Sequence, residues 1–312
     1  MDSNRREFIV RSSLVIAAGA FVPDRLFAQQ APAAAPQPPT VPMFASLRRN
    51  VGTFTARGGT MGWMVGPDAV VVIDSQFADT SKMFLDGFKP MIGGRKIDLL
   101  INTHHHPDHT GGNKVLQPSV VKIVAQENAP GLQRKQAAAQ KSEDQQAYAD
   151  TTYKTDWKVD LGSEIVSARH YGPGHTGGDG VIFFQRANVV HMGDLMFHQR
   201  HPVVDRAAGA TLRGWMTVLD RAMRDHANDT IYIFGHTGAG LPVTGSQADV
   251  TRFKDYMGAL LAFVETQVKA GKSRDEVLAM RDPLPGFENF GRFGQPGPRD
   301  ALTCAYEEVT GT

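Results

Sequence analysis

The residues with the clearest potential for chemistry form one short run, His104-His105-His106-Pro107-Asp108-His109. Three members of this run alternate along the chain, and alternating residues of an extended segment point to the same side. These members are His104, His106 and Asp108, and His109 follows them directly. Neutral imidazole and carboxylate groups are the ligands that Zn²⁺ favours where thiolates are absent. The run therefore predicts a metal site.

The segments on either side predict that this run lies on a loop at the end of a strand. Residues 98–102 (Asp-Leu-Leu-Ile-Asn) have the pattern of a buried strand, and Gly111-Gly112 lets the backbone turn tightly into a helix. Binding residues are commonly carried by such loops. A fortuitous histidine run or a tag fits less well, because a tag lies at a terminus and has no Asp in register.

A metal site needs more ligands than one loop supplies, and three further predicted strand ends carry suitable residues. They are Gly174-His175-Thr176, Met192-Gly193-Asp194 and Gly235-His236-Thr237. Taken alone, each has an ordinary interpretation: a glycine-rich turn with an incidental His, a turn-capping Asp, and a surface His. Each is nonetheless a candidate for a further ligand.

This pattern resembles the metallo-β-lactamase superfamily. The run His104-x-His106-x-Asp108-His109 is similar to the signature of that family, and the resemblance covers roughly residues 51–243. The remaining ligand positions of the family would fall, in the family's order, on His175, Asp194 and His236. The resemblance implies an α/β fold, the four-layer αββα sandwich with pseudo-symmetric halves.

The resemblance also implies how the ligands are divided between two divalent metal ions, with Zn²⁺ the first expectation. The first ion would be bound by His104, His106 and His175. The second would be bound by Asp108, His109 and His236, with Asp194 bridging both. Such a pair shares a water and lowers its pKa toward neutrality, from about 15.7 in bulk. The implied enzyme is a metal-dependent hydrolase that attacks with the bridging hydroxide, and Asp108 is its expected catalytic proton acceptor.

Other polar residues are expected to support the site or the fold. Ligand imidazoles need a partner for their second nitrogen, and the candidates are Asp74, Thr103 and Thr110, with Asp74 the best placed. His105 points away from the ligands and is expected to be structural. His198 and His201 are expected either to line the pocket or to lie on the surface. Structural roles are expected for His170, His191 and His226.

Composition narrows the class of protein. The chain has 312 residues, 41% hydrophobic and 21% charged, which is typical of soluble globular proteins. Its formal net charge is +1, and no basic stripe points to nucleic acid or to an anionic membrane. The single cysteine, Cys304, excludes an internal disulfide and a cysteine-rich zinc site. The expected partner is a small-molecule substrate.

The N-terminus resembles a twin-arginine export signal. Arg5-Arg6 precedes an apolar stretch at 12–22 that is too short to span a bilayer comfortably, and Ala28 offers a small-residue cleavage point. No cysteine lies near that point, so neither a lipid anchor nor a stable membrane anchor after cleavage is expected. We therefore predict a periplasmic protein with a signal peptide at 1–28, a Pro/Ala linker at 29–43 and a metallo-β-lactamase-like domain with a helical tail at 44–312.

The alternation of strand and helix patterns favours layered α/β architecture. Strands are predicted at 51–56, 61–65, 69–74, 97–102, 120–125, 163–170, 180–185, 189–192 and 230–234. Helices are predicted at 79–91, 212–225, 253–269 and 273–280, with one or two surface helices within 128–152. The last thirty residues contain several Gly and Pro and are expected to wrap irregularly. The pocket is expected to be walled by the loop after Ala56, by residues 128–152 and by the loop after Asp194.

Departures from the family patterns bear on the substrate. The commonest zinc β-lactamases carry Cys where Asp194 stands, and Leu195-Met196-Phe197 offers no Lys or Ser to hold an antibiotic carboxylate. Asp194 resembles the pattern of glyoxalase II, but a glutathione thioester is an unusual substrate for an exported enzyme, and the tail shows no clear basic pair. Exported metallohydrolases of the quinoprotein-relay and sulfur-oxidation type are a closer likeness.

Three functional hypotheses follow. The first is a periplasmic di-zinc hydrolase that cleaves an ester, thioester, lactone or lactam. The second is β-lactamase activity on antibiotics. The third is an iron-dependent sulfur or redox protein, or a quinoprotein-accessory protein. His/Asp sites bind zinc, manganese and iron, so the metal content of the purified protein separates the third hypothesis from the other two.

Overall fold

Two large β-sheets dominate the computed structural model, which describes residues 41–312. The first sheet contains, in spatial order, β1 (Met43–Ser46), β2 (Val51–Thr55), β3 (Met61–Val65), β4 (Val70–Ile73), β5 (Ile97–Ile101), β6 (Val120–Gln126) and β7 (Thr151–Tyr153). Its first four strands pair antiparallel, and β4 to β7 pair parallel. The central strand β4 is buried at every residue, as expected for a strand covered on both faces.

The second sheet is built from the second half of the chain. Its strands are β8 (Asp156–Asp160), β9 (Ile165–Arg169), β10 (Val181–Phe184), β11 (Val189–His191), β13 (Ile231–Ile233) and β15 (Thr244–Gly245). Their spatial order is β15-β13-β11-β10-β9-β8, and β11 and β13 are the parallel pair. A small two-stranded sheet joins β12 (Phe197–His198) to β14 (His236–Thr237).

Helices connect the strands and make up most of the chain after β15. They are α1 (Ala78–Ile92), α2 (Pro107–Thr110), α3 (Asn113–Leu116), α4 (Ala129–Gln140), α5 (Leu212–Asp225), α6 (Gln247–Lys269), α7 (Arg274–Leu278) and α8 (Ala301–Thr310). None of the helices within residues 41–312 has the length and apolar character needed to cross a membrane.

Side-chain alternation along the strands creates the layers. In β4, Val71 and Ile73 point into a core shared with residues of the second sheet such as Ile182 and Phe184. Val70 and Val72 point the other way, into a core formed with α1. A third core lies between the second sheet and helices α5, α6 and α8. The order helix, sheet, sheet, helix confirms the α/β sandwich that the resemblance implied.

Most predicted elements are confirmed within one or two residues, and the helix at 212–225 matches α5 at both ends. The tail expectation was wrong, because residues 301–310 form α8 rather than irregular chain. Asp300 caps this helix by accepting a hydrogen bond from Thr303 N, and its buried face packs with α6. Within 128–152, α4 occupies only the first half, and the last residues join the first sheet as β7.

The predicted signal peptide and most of the predicted linker lie outside the described residues. Met43, the last residue of that linker, begins β1.

Candidate metal centre

Loops that follow strands of both sheets bring all seven predicted ligand residues together. His104 and His106 follow β5, and the short helix α2 carries Asp108 and His109. The remaining three lie after β9, after β11 and in β14, and they are His175, Asp194 and His236.

The first group consists of three imidazoles and one carboxylate. His106 Nδ1 lies 3.1 Å from His104 Nε2 and 2.8 Å from His175 Nε2. Asp194 Oδ2 is 3.5 Å from His175 Nε2 and 3.9 Å from His104 Nε2. One ligand atom from each of these four residues therefore lies within 4.8 Å of every other, a spacing suited to one cation.

The second group consists of two imidazoles and two carboxylates. His109 Nε2 lies 2.9 Å from Asp194 Oδ1, and His236 Nε2 lies 3.1 Å from Asp108 Oδ2 and 3.2 Å from Asp194 Oδ2. The ligand atoms of this group also fall within 4.8 Å of one another. Because Asp194 belongs to both groups, the two positions share a carboxylate.

Acceptors behind the first group fix which nitrogen of each imidazole carries the proton. His175 Nδ1 lies 2.7 Å from the carbonyl oxygen of Val203, and His106 Nε2 lies 2.8 Å from Asp205 Oδ2. A carbonyl and an ionised carboxylate only accept, so both outward nitrogens donate. The inward nitrogens are then left with lone pairs that face each other and cannot bond to one another.

Asp74 provides the corresponding support for His109 and His104. Its Oδ2 accepts from His109 Nδ1 at 2.7 Å and from Thr103 Oγ1 at 2.7 Å, while Oδ1 accepts from Thr103 N at 2.7 Å. Because Thr103 Oγ1 donates to Asp74, it is an acceptor for His104 Nδ1, 3.1 Å away. The expected supporting contacts of Asp74 and Thr103 are present.

The inward atoms fit a bound cation better than they fit each other. Asp194 Oδ1 and His109 Nε2 are buried without a hydrogen bond, although they are 2.9 Å apart. Buried polar atoms are rarely left without a partner. Lone pairs of His104, His106 and His175 likewise converge on one another. A divalent cation in each group would satisfy these atoms, so the residues present suit two ions.

Burial keeps two imidazoles of the first group, those of His104 and His175, neutral, as metal ligands must be. Burial lowers the pKa of His175 to about 3, and neighbouring His106 adds to this effect. Burial also holds the pKa of His104 well below its usual value, with the nearby His109 acting in the same direction.

Charge pairing governs the second group. Burial alone would lower the pKa of His236, but the carboxylates of Asp194 and Asp108 raise it to about 9. Burial likewise disfavours a charged His109, yet Asp194 and Asp74 raise its pKa well above the usual value. Burial would raise the pKa of Asp108, but His109 and His236 lower it to about 2. This negative environment attracts protons, and a metal cation would take their place.

The centre opens to solvent on the side of its second group. The side chains of Asp108 and His236 are 24% and 15% exposed, whereas Asp194 is 4% exposed. A cavity of about 200 Å³ adjoins His236 and is lined by residues of 55–60, by Arg200 and by residues of 235–243. Two of the three expected walls, the loops after Ala56 and after Asp194, therefore border this opening.

The third expected wall, within 128–152, borders a different cavity. Helix α4 lines a pocket of about 290 Å³ together with His105, Asp205 and Arg299. His105 is buried there, and its Nε2 lies 3.8 Å from Asp205 Oδ2.

The other histidines bond elsewhere in the fold. His198 Nδ1 lies 2.9 Å from Pro242 O, and His201 Nδ1 lies 2.6 Å from the Tyr256 hydroxyl, so neither lines the opening. The three histidines expected to be structural belong to neither ligand group: His170 and His191 bond to backbone carbonyls, and His226 packs against Phe183. Thr110 donates to the carbonyls of His105 and His106 rather than to an imidazole.

Three residues that contribute to the site have no signal in the sequence. Val203 acts through its backbone carbonyl, which every residue possesses. Asp205 lies in a loop without periodicity, and Arg299, 2.8 Å from Asp205 Oδ2, comes from the far end of the chain. Only the folded arrangement brings these residues to the imidazoles.

Comparisons with known proteins agree with this fold. The family model of the metallo-beta-lactamase superfamily matches residues 55–285. A metallo-beta-lactamase type 2 from Bacillus cereus is 22% identical over 205 residues, which is 63% of this chain and 77% of that protein.

Two solved structures share the fold. A metallo-beta-lactamase from Pontibacter korlensis superposes with a TM-score of 0.59 at 18% identity, covering 70% of this chain and 99% of that one. The DIM-1 metallo-beta-lactamase superposes with a TM-score of 0.58 at 16% identity and the same coverage. Because the family match spans most of the chain, this protein belongs to the metallo-beta-lactamase superfamily and is a metal-dependent hydrolase.

Proposed function

We propose that this protein is a periplasmic di-zinc hydrolase that cleaves an ester, thioester, lactone or lactam bond in a small molecule. The observation that carries the proposal is the pair of ligand groups joined by Asp194. When bound, two cations would supply a water that is deprotonated near neutral pH and would polarise the attacked oxygen. Seven ligand residues in two groups favour two ions over one.

The chain's own residues have separate parts in this proposal. The buried imidazoles of His104, His106 and His175 would hold the metal ion on the inner side of the centre. Asp108 stands at the open side, with its Oδ2 3.1 Å from His236 Nε2 and its pKa lowered to about 2. An ionised carboxylate in this place can accept a proton from the attacking water and return it to the leaving group.

The test begins with metal analysis of purified protein lacking residues 1–28. We expect about two zinc ions per chain, and chelator-sensitive turnover of at least one substrate among a chromogenic cephalosporin, a thioester, a lactone and an ester. Asp108→Asn should lower kcat by about 10²–10⁴-fold. The exposed Asp86→Asn serves as the matched control. One iron per chain with no hydrolysis would refute the proposal and favour the redox alternative.

β-Lactamase activity is the second candidate, and Arg200 favours it. This cation lines the cavity beside His236, where it could hold the carboxylate of a β-lactam. Arg200→Ala should then raise KM for a cephalosporin about tenfold, which corresponds to the loss of one charged hydrogen bond. The exposed Arg292→Ala is the control. An equal effect of Arg200→Ala on a neutral ester would argue against an anion-binding role.

Export by the twin-arginine route is supported by Arg5-Arg6, the apolar stretch at 12–22 and the small-residue site at Ala28. Fractionation of bacteria that express the full chain should place the shortened protein in the periplasm. Replacing both arginines with lysine should leave the uncleaved protein in the cytoplasm. A wild-type chain that stays cytoplasmic would contradict this part of the proposal.

A further inference from the structure

We propose that the C-terminal segment, residues 299–308, positions the three imidazoles of the first ligand group. These imidazoles, called the three-imidazole group below, belong to His104, His106 and His175. Arg299 is a positioning residue that acts through Asp205 on His106. This inference rests on the proposed two-metal centre. It concerns a part of the chain that lies beyond the family match, which ends at residue 285.

The three-imidazole group is supported by residues 203–205, in the loop between β12 and α5. Val203 O accepts from His175 Nδ1 at 2.7 Å, and Asp205 Oδ2 accepts from His106 Nε2 at 2.8 Å. Asp205 N also donates to the carbonyl of His175 at 3.3 Å. Two of the three imidazoles therefore take their orientation from residues 203–205.

Arg299 holds this loop by both its backbone and its side chain. Its carbonyl accepts from Val204 N at 3.1 Å, and its Nη2 lies 2.8 Å from Asp205 Oδ2, the same oxygen that binds His106. The Asp205 side chain is only 3% exposed, so solvent cannot readily replace a missing partner. The guanidinium thus fixes both the charge and the position of the carboxylate that orients His106.

The rest of the segment anchors Arg299 and the far end of the same loop. Asp300 caps α8 and pairs with Arg281 at 3.0 Å. Glu308 accepts from Leu212 N at 2.7 Å and from Arg213 N at 3.0 Å, where the loop enters α5. The C-terminal segment therefore contacts this loop at two places, through Arg299 at residues 204–205 and through Glu308 at the start of α5.

The second ligand group depends on other elements. Asp74, directly after β4, holds His109, and α2 carries Asp108 and His109 itself. His236 belongs to β14, which pairs with β12. Loss of Arg299 should consequently affect one metal position more than the other, a selectivity that a general loss of stability would not produce.

The test is zinc binding by the otherwise complete mature protein. Zinc-free protein is titrated with Zn²⁺ in competition with a chromophoric chelator, for wild type, Arg299→Ala, Arg299→Gln and Arg299→Lys. Outer partners of metal ligands commonly contribute 10–100-fold to affinity, so Arg299→Ala and Arg299→Gln should weaken one of the two ions about tenfold and leave the other within about twofold. Arg299→Lys should recover part of the loss. Arg292→Ala, in the same tail with an exposed partner, should match wild type.

Nuclear magnetic resonance of the imidazole N–H protons identifies the affected position. In the zinc-loaded Arg299 variants, the His106 Nε2–H signal should shift or exchange faster with water, whereas the His109 Nδ1–H signal should stay in place. Unfolding temperatures of the zinc-free variants provide the stability control.

Either of two results would overturn the inference. The first is unchanged binding of both zinc ions by Arg299→Ala or Arg299→Gln. The second is an equal weakening of both ions in these variants together with a lower unfolding temperature. If Arg299→Ala does not fold, Arg299→Gln decides by the same criteria. A wild-type chain that binds fewer than two ions would instead refute the proposed function, and this is seen before any variant is measured.

Discussion

Asp194 belongs to both ligand groups, and its side chain is closely packed against the backbone of Gly235. The backbone of Gly235 packs directly on it, with Gly235 N donating to Gly193 O at 2.8 Å. A Cβ at position 235 would overlap Asp194 Oδ1 and the backbone of Gly193. The glycine before His236 is therefore required by close approach, and not by turn conformation.

Gly235→Ala should consequently disturb both metal positions. We expect the variant to bind zinc at least about tenfold more weakly, by analogy with the loss of a ligand's supporting partner, and to lose most hydrolytic activity. Gly131→Ala is the matched control, because this α4 glycine has no neighbour near an added Cβ and alanine favours helix by about 0.5–1 kcal/mol. Wild-type zinc affinity in Gly235→Ala would show that Asp194 can adjust.

The sequence could predict the seven candidate ligand residues, but only some of the groups that orient them. His and Asp at four strand ends are recognisable because ligand chemistry requires particular side chains. Asp74 was foreseeable for the same reason, since it follows a buried strand. No sequence pattern identifies the carbonyl of Val203 or the Asp205–Arg299 pair, because their roles arise only from their proximity in the folded protein.

At the scale of elements, strands and helices with strong periodicity could be predicted, and marginal ones could not. Helix α5 has a buried face with Trp215 and Leu219, and the periodicity of this face predicted both ends of the helix. Strand β8 and helix α8 escaped prediction. The former is a half-exposed edge strand, and the latter follows a stretch rich in Gly and Pro that suggested irregular chain.

Helix α8 also stabilises the start of α5. The first backbone N–H groups of a helix lack partners within the helix, and Glu308 accepts from two of them, Leu212 N and Arg213 N. Glu308→Ala should lower the free energy of unfolding by about 2 kcal/mol, as expected for hydrogen bonds to a charged group. Urea denaturation measures this loss. Glu265→Ala removes only an exposed pair with Arg213 and should cost no more than about 1 kcal/mol. Equal losses in the two variants would argue against the capping role.

At the scale of the whole molecule, the two sheets are joined by a largely apolar interface, and the buried His191 bonds across it. His191 on β11 is fully buried, and its Nε2 donates to Thr60 O, just before β3, at 3.0 Å. Its Nδ1 accepts from Gly193 N at 3.1 Å, so the ring is neutral with its proton on Nε2. Hydrophobic alternation predicted that the sheets would pack, but it could not reveal that a neutral imidazole bonds one sheet to the other.

This arrangement makes the stability of the sandwich depend on pH. Burial lowers the pKa of His191 to about 4, from a usual value near 6.5. Between those values the unfolded chain binds a proton that the folded chain does not, so stability falls as the pH drops through this window. The full loss attributable to His191 is about 3 kcal/mol, since one pKa unit corresponds to about 1.4 kcal/mol.

His191→Gln isolates this contribution, because a carboxamide can donate to Thr60 O and accept from Gly193 N without titrating. Urea unfolding of the zinc-free proteins at pH 4 to 7.5 should show the wild type losing stability relative to the variant as the pH falls. The ligand residues are the same in both proteins, so their effect on stability cancels in the difference. A difference that is constant with pH would mean that the interface accepts a charged imidazole, and the two sheets would then have to separate or admit water at that point.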